Sequence, residues 1–277
     1  ITIQPNVKSS SFIFIPEYSR NLSCKLKIDV TFNNKKIIST IQPTSSKKFS
    51  VKIPKPKLWS IGKPNLYNFI FTLLNKDKKI LDVVKSYGGM RSIEVKKNKL
   101  FLNGKPLYQR LVLDQGFYPK GIWTAPSDKD LKNDILLSMK AGFNGARLHE
   151  KVFEDRFHYW ADKLGYLTWA EFPNWGLNEN AKASEISFMK EWPRIVKYLK
   201  NHPSIITWTP FNETNTLECN SQHKSLMRKA YNITKKLDPT RPVNETSGYQ
   251  HQKTDIWTVH HYEPVPEIFN KALNPKK

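Results

Sequence analysis

Cysteine is scarce. Cys24 and Cys219, the only two in 277 residues, lie 195 positions apart and form no C-x-x-C pair or His/Cys cluster, which rules out a disulfide framework and a zinc site. Also missing is any apolar run near the roughly 18 to 20 residues that would cross a bilayer. The first ten residues carry neither the charged start nor the apolar stretch of a signal peptide, and no membrane partner is expected. Acidic residues are outnumbered, 24 against 45 Lys and Arg, for a net charge of +21. An excess of that size suits nucleic acid, an anionic surface or an acidic ligand. The charge is spread in ones and twos, however, as in Lys35 with Lys36 and Lys78 with Lys79, without the interleaved aromatics of a single-strand binder. A solvated lysine-rich surface is expected, and no nucleic-acid partner. The remaining composition is ordinary for a globular chain, 39% apolar, 25% charged and 12% aromatic, which excludes disorder and collagen.

Histidine and tryptophan divide the chain, since all seven His and seven of the eight Trp follow residue 122. The part before them reads as short alternating strands, as at 24–30 and 68–74, punctuated by Asn33-Asn34, Pro43, Pro54, Pro56 and a turn at 75–78. Strands so spaced, with no helical stretch between them, predict an antiparallel β-sandwich of immunoglobulin type over residues 1–87. From residue 88 the rhythm becomes strand, amphipathic helix, strand, the signature of parallel βαβ units. Strands are expected at 107–113, 143–148, 166–172, 204–211, 242–246 and 256–262, with helices at 128–141, 154–164, 185–200 and 221–237. Ser127 before Asp128 and Asp130 supplies a cap and first-turn acids, and Gly142 and Gly165 follow helices where a left-handed residue is needed. A (β/α)8 TIM barrel needs eight strands and about 250 residues. The 189 residues after residue 88 suffice for about six strands. Residues 88–277 are therefore expected to form an incomplete TIM barrel, and a chain running from Ile1 to Lys277 in this way is expected to be an internal fragment of a longer one.

Barrels carry their working side chains at the C-terminal ends of strands. Those ends are polar here: Asp114-Gln115, Arg147 with His149, Glu171, Asn212-Glu213 and His260-His261-Tyr262. The sharpest is segment 201–213, an apolar strand that delivers an amide and a carboxyl together beside Trp208 and Phe211. A carboxyl against aromatic surface is penalised when ionised, so Glu213 is expected to have a raised pKa suited to a general acid, with Asn212 able to bond a sugar hydroxyl. From the residues alone a second reading stays open, in which Glu213 is an acid at a helix start.

The segment resembles the acid/base signature of glycoside hydrolase family 2, which contains β-galactosidases, β-glucuronidases and β-mannosidases. Around it, Pro56-Lys-Leu-Trp59 through Pro64-Asn-Leu-Tyr67 resembles the closing strands of that family's immunoglobulin-like domain. Tyr87-Gly-Gly-Met-Arg91-Ser-Ile-Glu94 followed by Leu102-Asn-Gly-Lys-Pro106 is similar to its passage into the barrel. Arg147 with His149, Trp160-Ala-Asp-Lys-Leu-Gly165 and Asn201-His-Pro203 complete an ordered likeness over nearly the whole chain. The resemblance implies hydrolysis of O-glycosidic bonds in a β-glycoside, a β-galactoside or a related glycon, with retention, through two carboxyl groups roughly 5 to 5.5 Å apart. It makes Glu213 the acid/base and Asn212 the contact to the 2-hydroxyl, and it puts Tyr262 near the nucleophile. Arg147, His149, Glu171 and Trp175 are further substrate-binding candidates, although His149 follows Arg147 by two positions where many members use three. Trp123 and Phe117 sit in βα loops and can stack on sugar faces, and Asp114 and Glu245 are strand-end acids that either bind hydroxyls or organise loops.

The family nucleophile is a Glu at the end of strand seven, in a Glu-Tyr-Gly or Glu-Phe-Gly motif. Neither motif occurs, and Glu263 and Glu267, in a loop with Pro264 and Pro266, are assigned no such role. The nucleophile is expected beyond Lys277, and this chain alone is expected to be inactive. The metal-binding Glu and His that follow strand three in some β-galactosidases have no counterpart at 171–176, so no metal and no cofactor are expected. A carbohydrate is the expected partner. The competing reading is a non-catalytic carbohydrate-binding or scaffold chain of the same fold.

Overall fold

The computed structural model describes residues 1–20, 23–214 and 219–274. Two antiparallel sheets open the chain. Thr2–Asn6, Ser11–Ile15 and Phe49–Lys52 form one; Lys35–Pro43, Lys25–Phe32, Leu66–Leu74 and Ile80–Gly89, in that spatial order, form the other. Asn33 and Asn34 turn the chain between Phe32 and Lys35 with φ of 48° and 61°, the left-handed pair that a two-residue hairpin of matching twist requires. Alternation along the strands points Leu26, Ile28, Val30, Phe69 and Phe71 inward against Phe12 and Phe14 of the facing sheet. Phe14 meets Phe69 and Phe71 edge to face at 5.2 and 5.3 Å between centroids, the arrangement that ring quadrupoles favour. Burying each such side chain contributes about 1.5–3 kcal/mol, and this aromatic layer holds two sheets of short strands together.

After a small antiparallel sheet of Ile93–Lys96, Lys99–Leu102 and Lys105–Pro106, the strands become parallel: Leu111–Asp114, Gly145–Leu148, Leu167–Glu171 and Ile205–Thr209, adjacent in that order. Pro210 interrupts the fourth strand. Trp208 bridges in parallel to Val243 before the break, and Phe211–Asn212 pairs with Thr246–Ser247 after it. Helices Asp128–Lys140, Asp155–Leu164, Lys182–Leu199 and Ser221–Leu237 separate the strands. Ser127 caps the first, accepting from the Asp130 N–H, and Gly165 ends the second with φ 73°. The parallel array thus has five hydrogen-bonded positions among the described residues, an incomplete TIM barrel.

Segment 256–262, expected as a sixth strand, makes no strand pairing. Side chains occupy the groups that a ladder would use: the Asn244 amide donates to Ile256 O at 2.8 Å, Thr254 Oγ1 donates to the same oxygen at 2.7 Å, and Ile256 N–H donates back to Thr254 Oγ1 at 3.3 Å. A short helix, Pro266–Ala272, follows.

Sandwich and barrel share a polar seam at the N-terminal end of strand Ile205–Thr209. The Trp59 indole N–H donates to Asp162 O at 2.8 Å, and the Tyr87 hydroxyl donates to Asp162 Oδ2 at 2.8 Å. His202 bonds the same Oδ2 through Nδ1 at 2.6 Å and Asp155 Oδ1 through Nε2 at 3.1 Å, while Asp162 Oδ1 accepts from Ser204 N–H at 2.8 Å. Buried Arg91 donates to Pro203 O and Ile205 O, both at 2.8 Å. The backbones come so close here that a Cβ on Gly89 would stand 2.8 Å from side-chain carbons of Pro203 and Trp59, a contact only glycine avoids.

Candidate active site

The mouth of the fourth strand is fixed from behind by aromatic packing. Phe211 stacks on Phe188 at 4.7 Å and 21°, and both rings are fully buried. Asn212, next in sequence, is held on both backbone sides by one side chain: its N–H donates to Asn174 Oδ1 at 2.7 Å, and its carbonyl accepts from Asn174 Nδ2 at 3.2 Å. Its own Oδ1 accepts from Arg147 at 2.5 Å, and Arg147 Nε donates to Glu171 Oε2 at 2.8 Å. One planar guanidinium, itself on the second strand, thereby orients groups from two others. Asn212 Nδ2 is buried without a partner. Burial pushes the Glu171 carboxyl up to about 7, against the pull of Arg147 and of the Glu150 N–H.

Glu213 adopts φ 45°, left-handed for a residue with a Cβ, while its N–H donates to Ser247 O at 2.9 Å. Such a backbone costs of order 1–3 kcal/mol and persists where its surroundings enforce it. Oε1 accepts from His260 Nδ1 at 2.5 Å and from the Tyr262 hydroxyl at 2.9 Å, and His260 Nε2 lies 3.0 Å from Ser247 Oγ. The raised pKa expected for Glu213 from its aromatic neighbours is not what this geometry produces. Burial does push the carboxyl up, but the bonds from His260 and Tyr262 outweigh it and hold Glu213 below its usual value. Trp208 and Phe211 pack beneath the strand and leave the carboxyl partly open to solvent. Tyr262 is 77% exposed and contacts the acid itself.

His149 lies on the same rim. Its Nδ1 is 2.9 Å from Gln115 Nε2, and its ring meets Trp175 edge-on at 4.9 Å and 82°. Burial, aided by the charge on Arg147, lowers His149 to about 4, so the imidazole is neutral at pH 7. Together with Glu150, Phe117, Trp123 and Pro173, these three residues line a cleft of about 270 Å³. Phe117 and Trp123 stack at 6.5 Å and 22°, both well exposed.

Arg147, His149, Glu171, Trp175, Asn212, Glu213 and Tyr262 therefore share one face of the parallel array. Two of the strand-end acids do not join them. Asp114 Oδ1 accepts from Gly116 N–H at 2.8 Å, and Glu245, fully buried, gathers Gln252 N–H, Lys253 N–H and His251 Nδ1 between 2.5 and 3.0 Å. Both organise loops. Asn201-His202-Pro203 belongs to the seam. Sequence reasoning assigned no role to His260, Gln115, Asn174 or Glu150. His260 stands in a segment whose polar end, His260-His261-Tyr262, the sequence already marked, whereas Glu150 lies beyond its strand on a left-handed backbone, φ 52°, that no pattern announces. No group of three or more His, Cys, Asp or Glu suited to a metal ion occurs among the described residues.

A sandwich leading into parallel strands whose mouths carry paired amide and carboxyl groups is the architecture of a barrel hydrolase. Residues 16–91 match the family description "Glycosyl hydrolases family 2", and residues 93–276 match "Glycosyl hydrolases family 2, TIM barrel domain"; the chain belongs to glycosyl hydrolase family 2. It is 31% identical over 216 residues to a β-galactosidase of Photobacterium profundum, across 75% of this chain and 20% of that protein. A β-galactosidase of Psychromonas ingrahamii is 32% identical over 216 residues, 74% of this chain and 20% of that one. In fold, the chain superimposes on an FMN-binding β-glucuronidase from Facaelibacterium prausnitzii L2-6 with a TM-score of 0.84 at 22% identity, covering 94% of this chain and 42% of that structure. The chain thus spans about a fifth of the length of the curated relatives it matches.

Proposed function

We propose that this chain supplies the acid/base half of a retaining β-glycosidase, with residues 1–87 as the sandwich domain and 88–277 as the catalytic barrel segment. The observation that carries the reading is a pair of uncommitted polar groups at one strand mouth. Asn212 Nδ2 is buried without a partner, and the adjoining Glu213 carboxyl leaves Oε2 without a hydrogen bond among the described residues. An unpaired buried donor costs about 1–3 kcal/mol, which a substrate hydroxyl recovers. Because Arg147 occupies Oδ1, the Asn212 amide can offer only N–H, and a bond from it to the sugar 2-hydroxyl strengthens as the oxocarbenium-like state forms.

In the first displacement Glu213 gives its proton to the glycosidic oxygen as the C1–O bond breaks and a second carboxylate bonds C1. In the second it takes a proton from water as water attacks C1 and that carboxylate departs. Hydrogen bonds from His260 and Tyr262 favour the ionised form, which suits the second half. The first half needs the proton held on Glu213, which the negative charge of a nearby second carboxylate promotes. Trp175 and neutral His149 form the wall against which the sugar lies, and Glu171, buried behind them, holds Arg147 in place.

In the intact protein, Glu213→Ala should cost about 10² to 10⁴ on glycosides with poor leaving groups and far less on nitrophenyl glycosides, because a good leaving group needs no proton. Azide should partly restore the variant, giving the β-azide, since a small anion needs no general base. Equal loss on both substrate types without an azide effect removes Glu213 from the role. Sugar binding with no turnover by the intact protein favours the carbohydrate-binding reading instead.

A further inference from the structure

The cleft beside the strand mouths holds one charged side chain that the mechanism above does not use. Glu150 lies just past strand Gly145–Leu148, is 8% exposed, and is clamped at both ends. Its backbone N–H donates to Glu171 Oε1 at 3.0 Å, and its Oε2 accepts from Trp175 N–H at 2.8 Å. Oε1 is buried with no hydrogen-bond partner, in the lining that Glu150 shares with His149, Gln115 and the rings of Phe117, Trp123 and Trp175. A buried carboxyl oxygen left open amid aromatic faces and neutral polar groups is an acceptor awaiting a donor.

The cations around it are spent elsewhere. Arg147 is committed to Glu171 and Asn212. Lys151, next in sequence, turns its ammonium to Trp123 O at 2.9 Å and to Gly116 O and Glu154. Among the described residues, none that line the cleft is Lys or Arg. Against this wall a ligand carboxylate would lose its hydration, find no uncommitted cation among the described residues and meet a carboxyl group, whereas a ligand hydroxyl would find an acceptor.

We infer that Glu150 determines the glycon class: Oε1 accepts a hydroxyl of a neutral hexose, and the same carboxyl turns away a uronate. The inference rests on the reading of this rim as a β-glycoside site and goes beyond it in naming the sugar. Burial pushes the Glu150 carboxyl up to about 7, against the backbone N–H groups of Trp175 and Asn174, so removing its negative charge by substitution is a mild change for the fold.

The test uses the intact protein with nitrophenyl β-galactoside, β-glucoside and β-mannoside against nitrophenyl β-glucuronide, and in parallel calorimetric titration with the corresponding methyl glycosides. The wild type should favour at least one neutral glycoside over the glucuronide by 100-fold or more, on the order of what one misplaced charge costs in a desolvated site. Glu150→Gln should narrow that ratio by about 10- to 100-fold, the worth of a hydrogen bond to a charged group. Glu150→Asp, which keeps the charge and withdraws the oxygen, should lose neutral sugars while still refusing the glucuronide. A wild type that takes the glucuronide as well as any neutral sugar overturns the inference, even if neither variant folds. So does a ratio unchanged in a folded Glu150→Gln. Absence of turnover on every glycoside defeats the glycosidase reading, and the titrations then decide Glu150 on their own: preferential binding of a neutral glycoside, lost in Glu150→Asp, upholds it, and binding of none refutes it.

Discussion

His202 lies in the seam, sharing Asp162 with Tyr87 of the sandwich, and its charge should be visible as a pH-dependent stability. Burial alone would lower its pKa, but the carboxylates of Asp162 and Asp155 outweigh burial and hold it up to about 9, against 6.5 for a free histidine. The neighbouring His158, ring centroid 5.2 Å away, is pushed well down by burial and by His202 and stays neutral, while burial and Asp162 hold the Tyr87 phenol far above its usual value and protonated. A group whose pKa is higher folded than unfolded stabilises fully below the unfolded value and loses that contribution as pH rises through the folded one. The window here runs from 6.5 to about 9. At 1.36 kcal/mol per pKa unit the whole effect is about 3 kcal/mol. Urea unfolding followed by tryptophan fluorescence, which samples Trp59 in the seam, should therefore find His202→Gln weaker than wild type by about 3 kcal/mol at pH 6 and by well under 1 kcal/mol at pH 10. Other titrations common to both proteins cancel in the difference. If the gap between the two proteins is the same at pH 6 and pH 10, the charge on His202 contributes nothing and the seam is held by shape alone.

Arg147→Lys should destabilise the protein by about 3–5 kcal/mol and, on the proposed glycosidase reading, lower kcat/KM of the intact protein by at least tenfold, because a single ammonium cannot serve Glu171 and Asn212 together and one buried partner is left uncompensated; unfolding and kinetics on the same samples of the intact protein check both. Phe188→Ala, which removes a fully buried ring stacked on Phe211, should cost about 3–5 kcal/mol in denaturant unfolding and, on the proposed reading, lower turnover of the intact protein at saturating substrate because Phe211 supports Asn212 and Glu213.

Strand mouths were legible because a barrel obliges them to be: an apolar run ending in Arg, Glu or Asn-Glu marks both the strand and its working end. That reading brings Arg147, Glu171, Asn212 and Glu213 to one face. It fails where side chains replace backbone partners. Residues 256–262 alternate like a strand, yet Asn244 and Thr254 satisfy the Ile256 groups that a ladder would need. Charge state was illegible for the same reason. Whether a carboxyl near aromatics is raised or lowered depends on which donors reach it, and His260 and Tyr262 approach Glu213 from 47 and 49 residues away. Glu150 escaped notice because its position in the cleft depends on a left-handed backbone and on the Trp175 amide, neither of which has a sequence pattern.

Arg91 gives the seam a meaning for how such proteins can be recombined. It comes immediately after the sandwich strands, yet both its hydrogen bonds end on barrel carbonyls, and barrel residue Arg241 reaches one of the same oxygens, Ile205 O, at 2.6 Å. The joint therefore looks like a linker between interchangeable cassettes in the chain order but behaves as a mortise in space. A sandwich grafted from another protein would have to bring its own guanidinium and its own glycine at position 89, or Pro203 O would be left buried without a donor and the incoming Cβ would wedge the two parts open. Exchange between relatives after Arg91 is thereby confined to partners that already share both residues, and a crossover placed before Gly89, which leaves Gly89 and Arg91 with the carbonyls they serve, preserves more of the joint than one placed after Arg91.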